Sequence, residues 1–134
     1  MHSPIPRKIR NAQEFVPVAI EATEVLEDNG VDEVVRVAHF KGGLKVREFF
    51  RSYWPVRVDF WQPNGAVFTN TISDGPNGEN DFWMTYTFEW RYPDVREGSE
   101  EYVQLLKKHV EDARIGVLSS IERLRVMGAA GELD

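Results

Sequence analysis

The chain contains no cysteine, which removes disulfides, thiolate metal sites and a cysteine nucleophile, and is compatible with a reducing compartment. No apolar run reaches the ~18 residues a membrane helix needs, and Met1 to Arg10 holds no hydrophobic signal segment. Basic charge is short as well: 16 Lys and Arg stand against 22 Asp and Glu, a net charge of -6 that repels phosphate backbones and anionic lipid. Proline and glycine number only 7 and 10 in 134 residues, which excludes collagen-like and low-complexity chains. The three histidines, at positions 2, 39 and 109, show no metal-ligand spacing beyond a weak His109 and Asp112 pair, so neither a metal nor another cofactor is expected. No nucleophile, base and acid triad is readable. These absences describe a cytoplasmic protein with no nucleic-acid partner and no membrane insertion.

What is present is material for one folded domain. Apolar residues make up 42% of the chain and aromatic residues 12%, enough to build a core within 134 residues. The basic run Arg7, Lys8, Ile9, Arg10 reads as the last turn of a helix. Asn11 and Glu14 form a capping-box pattern for a short helix that Pro17 stops, since proline cannot continue the hydrogen-bond ladder. Six short alternating stretches follow, at about 20–27, 32–41, 44–53, 56–61, 66–73 and 81–92, separated by Asn29-Gly30, Gly42-Gly43, Trp54-Pro55, Asn64-Gly65 and the loop 74–78. This is the pattern of an antiparallel meander. From Ser99 as N-cap to Gly128, Tyr102, Leu106, Val110, Ala113, Val117, Ile121 and Leu124 recur at helical spacing and predict one long amphipathic helix over 99–127. With no other element long enough to cover its stripe, that helix must lie on the sheet, giving an α+β fold.

Hairpin registers, chained across the meander, predict the face turned to the helix. An Asn64-Gly65 two-residue turn, with Pro63 opposite Ala66, puts Val58 and Phe60 on one face with Val67, Thr69 and Thr71. The same face continues to Phe82, Met84, Tyr86, Phe88 and Trp90, and in the other direction to Phe50, Glu48, Val46 and Leu44, then His39, Val37 and Val35. Glu48 among aliphatic side chains must meet a base or water. Two readings follow: a Glu48 and His39 pair at the sheet margin, or a polar anchor in a ligand cavity. Ala113 and Gly116 leave room opposite, although Gly116 also fits a helix irregularity. The outer face then carries Phe49, Tyr53, Trp61, Phe68, Ile72 and Trp83 among Arg51, Asp59, Asn70 and Glu89, either as scattered exposed aromatics or as a homodimer contact.

The segments Val56–Phe60, Phe68–Pro76 and Thr85–Pro93, with Gln13–Pro17 and Val25–Asp28, resemble the AtaL-like family of the SRPBCC superfamily, which also holds START lipid-transfer domains, birch-pollen-type allergens and polyketide aromatase/cyclases. The resemblance covers about residues 9 to 127. It implies a helix-grip fold, a curved antiparallel sheet wrapped around a long C-terminal helix and enclosing a hydrophobic cavity. The family has seven strands where six are readable here, so residues 1–134 are expected to form a single SRPBCC/START-like domain without the usual first strand and most of the first helix. The strand at 81–92 is then expected as an open edge.

The function expected from these features is binding of a small hydrophobic, aromatic or polyketide-like molecule by a non-enzymatic carrier or sensor. The expected lining is Val46, Glu48, Phe50, Val58, Phe60, Thr69, Thr71, Met84, Tyr86, Phe88, Ala113 and Val117. The alternative is a cyclase, aromatase or dehydratase in the same cavity, with His39 or Glu48 as base and Tyr86 as proton donor. A third reading is an interaction protein with no ligand. A homodimer is expected from the outer aromatics and the open edge together.

Overall fold

The computed structural model of the chain describes residues 5–131; the predicted domain ends, Pro4 included, lie outside them. A short helix α1 (Ile5–Arg10) opens the fold, followed by a 3-10 turn at Ala12–Glu14 in place of the predicted helix. Pro6 sits in the first turn of α1, where a missing N–H leaves no ladder bond unmade. The strands are β1 (Ile20–Asp28), β2 (Glu33–Phe40), β3 (Lys45–Tyr53), β4 (Arg57–Trp61), β5 (Val67–Asp74) and β6 (Phe82–Glu89). They form one antiparallel sheet in sequence order, and α2 (Glu100–Ala129) follows. This is the α+β helix-grip arrangement, with β6 ending three residues before the predicted Tyr92.

The Ser99 hydroxyl accepts from the Tyr102 amide at 3.2 Å and starts α2, with Glu100 and Glu101 complementing the dipole in its first turn. The helix runs past Gly128 to Ala129, and the left-handed residue beyond its end is Gly131. Its far half is held by the segment after α1: the Ser119 hydroxyl donates to the Phe15 carbonyl at 3.2 Å, and Arg123 Nε donates to the Glu14 carbonyl at 2.9 Å. Phe15 and Met127 are fully buried there.

Two hairpins differ from the sequence expectation, and for a shared reason. The β4–β5 connection is a three-residue loop, closed by the Gln62 amide on the Ala66 carbonyl and the Gly65 amide on the Gln62 carbonyl, both at 3.0 Å. Pro63 has no N–H for a pair with Ala66, whereas its fixed φ suits the turn, and Gly65 takes the left-handed position at φ +88°. The β2–β3 connection also spans three residues, with the Phe40 amide on the Leu44 carbonyl at 2.8 Å and both Gly42 and Gly43 at positive φ. Each loop moves its register by one residue and turns a strand over.

Phe68, Asn70 and Ile72 therefore face inward, while Val67, Thr69 and Thr71 face outward. In β2, Val34, Arg36 and Ala38 are the inward row, and Val35, Val37 and His39 are not. The β5–β6 loop pairs Asp74 with Phe82, which cancels the first displacement and keeps Met84, Tyr86 and Phe88 inward as expected. Phe50, Phe60, Phe68, Phe88 and Trp90 form one aromatic row across the sheet, with successive centroids 4.8 to 5.4 Å apart. Ile9, Val34 and Val58 complete the core beside Phe50.

Candidate functional site

The inward row ends at a cleft of about 710 Å3 between the end of β6 and the first half of α2. Phe88, Trp90 and Tyr92 form one wall; Tyr102, Leu105, Leu106, His109, Val110 and Ala113 form the other, and Val95 and Glu97 border it. Aromatic side chains stand on the β6 side because Phe88 and Trp90 continue the inward alternation of the strand. The helical wall follows from the spacing of 102, 105, 106, 109, 110 and 113 along one face of α2.

His109 is held at the centre of this wall. Its ring stacks on Trp90 with centroids 3.9 Å apart, and its Nε2 lies 2.6 Å from the Tyr92 hydroxyl. Burial, and then the charge of Lys108, push its pKa below the usual imidazole value against the opposing pull of Asp112. In its neutral form, with Nδ1 carrying the hydrogen toward the Asp112 carboxylate 3.4 Å away, Nε2 accepts from the Tyr92 O–H. The pair can hold, or pass, one proton at the rim of the cleft.

Deeper along the same two elements lies a polar cluster. Lys8 extends from α1 toward the inward side of the sheet, where its Nζ donates to the Tyr86 hydroxyl at 2.7 Å and the Ser120 hydroxyl at 2.9 Å. Ser120 in turn donates to the Gly116 carbonyl at 2.7 Å. Burial first, and the Arg36 charge second, lower the Lys8 pKa to about 7, while Glu48 opposes the shift. Burial likewise raises the Tyr86 phenol, which stays protonated.

Behind Lys8, Arg36 and Glu48 form a buried ion pair, with Nη2 of Arg36 2.9 Å from Oε1. Arg36 Nη1 donates to the carbonyls of Lys8 and Ile9 at 3.1 and 2.7 Å, satisfying the end of α1 and fixing it to the sheet. Gln62 donates to the second Glu48 oxygen at 3.2 Å. The base that meets Glu48 is thus Arg36, three residues before the expected His39 on β2 and opposite Glu48 in register. His39 lies on the outer side, with Nε2 3.7 Å from the Glu24 carboxylate.

Of the residues expected to line a cavity, Phe88 and Ala113 border the cleft and Tyr86 belongs to the polar cluster. Glu48 is committed to Arg36, while Phe50, Val58 and Phe60 pack into the core. Val46, Met84 and Val117 are half-buried, Val46 and Met84 in the inward rows of their strands. Thr69 and Thr71 stand outward, opposite Asp59 and Arg57, because of the three-residue loop. Nothing in the sequence marks Lys8, Arg36, Ser120 or Tyr92 as ligand or catalytic residues, and His109 stands out only as half of a weak metal pair with Asp112. The one signal for Arg36 was the demand of Glu48 for a cation. Among the described residues, no group of three metal-ligating side chains comes together, and no helix is long and apolar enough to cross a membrane.

A six-stranded antiparallel sheet followed by one long helix, with an aromatic cleft between them, is the helix-grip architecture, and it is consistent with the SRPBCC superfamily. Residues 3–131 match the model of the AtaL family, described as acetylaranotin biosynthesis cluster protein L, and the chain belongs to that family. Comparison with curated proteins and with solved structures finds no match.

Proposed function

We propose that this protein binds a small hydrophobic molecule with an aromatic or polyketide-like ring system in the cleft between β6 and α2, and serves as a carrier or sensor in the cytoplasm. The observation that carries the proposal is the 710 Å3 cleft, whose walls are mostly aromatic rings and aliphatic side chains, with His109 and the carboxylates of Glu89 and Glu97 as its charged or titratable groups. Its size falls within the roughly 300–1,000 Å3 of ligand sites, and flat aromatic walls suit flat ligands. The family description, which refers to a biosynthesis cluster, supports a small organic ligand. A second reading, an enzyme of the cyclase, aromatase or dehydratase kind, is favoured by the Tyr92 and His109 pair, because a neutral imidazole bonded to a phenol is suited to proton transfer. We also propose that the chain self-associates through β6.

Titration with a neutral naphthalene-type fluorophore tests the binding reading. Trp90 lies in the wall, so saturable quenching of tryptophan emission is expected, and its loss in Trp90→Phe places the ligand. Absence of any saturable change across polycyclic aromatic probes refutes the carrier and the enzyme alike. Binding accompanied by chemical conversion of a cyclisable probe selects the enzyme.

A further inference from the structure

The polar cluster beneath the cleft has an unbalanced charge. Arg36 and Glu48 neutralise each other at 2.9 Å, and the partners of Lys8, Tyr86 and Ser120, are uncharged. On α1 itself, Arg7 is bonded to Glu14 and Arg10 to Asp28, each at 2.8 Å, so neither acid faces Lys8. On α2, Arg123 is turned to the Glu14 carbonyl. Among the described residues, the Lys8 ammonium is therefore a buried cation with hydroxyl partners and no carboxylate of its own. Two of its three N–H donors are used, by Tyr86 and Ser120.

The cleft and this amine lie along the same two elements, β6 and α2. Along β6, the Tyr86 ring lies 6.3 Å by centroid from Phe88, which is a cleft wall. Along α2, Ala113 borders the cleft, Gly116 follows one turn on, and Ser120 one turn after that. A Cβ placed at Gly116 meets no atom within 4 Å, so the space between Ala113 and Ser120 is open where any other side chain would fill it.

We propose that the ligand carries an acidic group, a carboxylate or an ionised phenol or enol, which passes Phe88 and Gly116 and is bound by the Lys8 ammonium together with the Tyr86 hydroxyl. This rests on the cleft being a ligand site and adds the chemical class of the ligand. The anion supplies the charge that the protein omits. Charge-assisted hydrogen bonds to a buried amine are strong, and the pairing restores the charged form of Lys8 that burial disfavours.

The test compares 2-naphthoate with 2-naphthamide, which share a ring system and differ in charge. The native chain is expected to bind the carboxylate at least about tenfold more tightly, a difference of about 1.4 kcal/mol. Lys8→Met is expected to bring the ratio near one, and Tyr86→Phe to reduce it. Calorimetry of the native chain at pH 8, in buffers of different ionisation heat, is expected to show proton uptake approaching one per naphthoate bound and none for the amide. Equal affinities with no proton uptake overturn the proposal while leaving the cleft a ligand site. Failure of both probes to bind counts against the cleft as a ligand site and against this inference together.

Discussion

Burying an amine beside a guanidinium has a consequence for stability that can be measured without any ligand. Lys8 titrates near 7 in the fold, against 10.5 for an exposed lysine. Between those values the unfolded chain binds a proton that the native chain does not, so unfolding free energy rises with pH across the window from about 7 to 10.5. Below pH 7 both states are protonated and the full burial cost is present. Lys8→Met removes the titration, so native and variant proteins should differ by up to a few kcal/mol over this window, the native chain gaining relative to the variant as pH increases. Urea denaturation at pH 6.5, 8 and 9.5 measures it. A constant difference at all three values means that Lys8 keeps its charge in the fold. The arrangement around it holds because Arg36 joins Glu48 to two carbonyls of α1, and Gln62 completes the carboxylate. Removing either member of such a buried pair leaves the other unpaired, which is why this polar group is tied to the position of α1.

At the scale of elements, strand and helix boundaries were legible to within three residues, because alternation and helical spacing depend on runs of side chains. Faces were less so, because they depend on single turns. Asn64-Gly65 signals a two-residue hairpin, but Pro63 cannot supply the amide that such a turn requires, and the extra loop residue turned β5 over. The same extra residue at Gly42-Gly43 hid Arg36 behind an expected outward position. Lys8 was illegible for another reason: α1 has six residues, too few to show a face, and its partners are 78 and 112 residues away. His109 was visible only as half of a weak metal pair, since its stacking on Trp90 depends on how α2 crosses the sheet. The β5 register has a direct test. Phe68 is 6% exposed and packs against Phe60, Phe88 and Trp90, so Phe68→Ala should cost about 3–5 kcal/mol. Thr69→Ala, on the outer side, should cost under about 1 kcal/mol. Denaturant titrations giving the reverse order would restore the two-residue turn.

For the whole molecule, the two sheet edges differ in how they are protected. β1 carries Glu21, Glu24, Glu27 and Asp28 and has two register irregularities against β2, features that discourage pairing with another chain. β6 has β5 on one side and, among the described residues, no strand on the other. Its sequence from Phe82 to Glu89 contains one charge, no proline and an unbroken register with β5. Phe82 and Trp83, at its start, are 53% and 59% exposed. A second copy would cover both the edge and the exposed rings, since antiparallel β6–β6 pairing about a two-fold axis would extend one sheet through both chains and bring Trp83 of each under cover. In such a pair the added strand would lie beside the cleft, whose Phe88 and Trp90 wall belongs to the same edge. Light scattering over a concentration series should give twice 15.5 kDa at high micromolar concentration, with the mass falling on dilution. A mass that stays at the monomer value throughout means that β6 does not pair with a second copy.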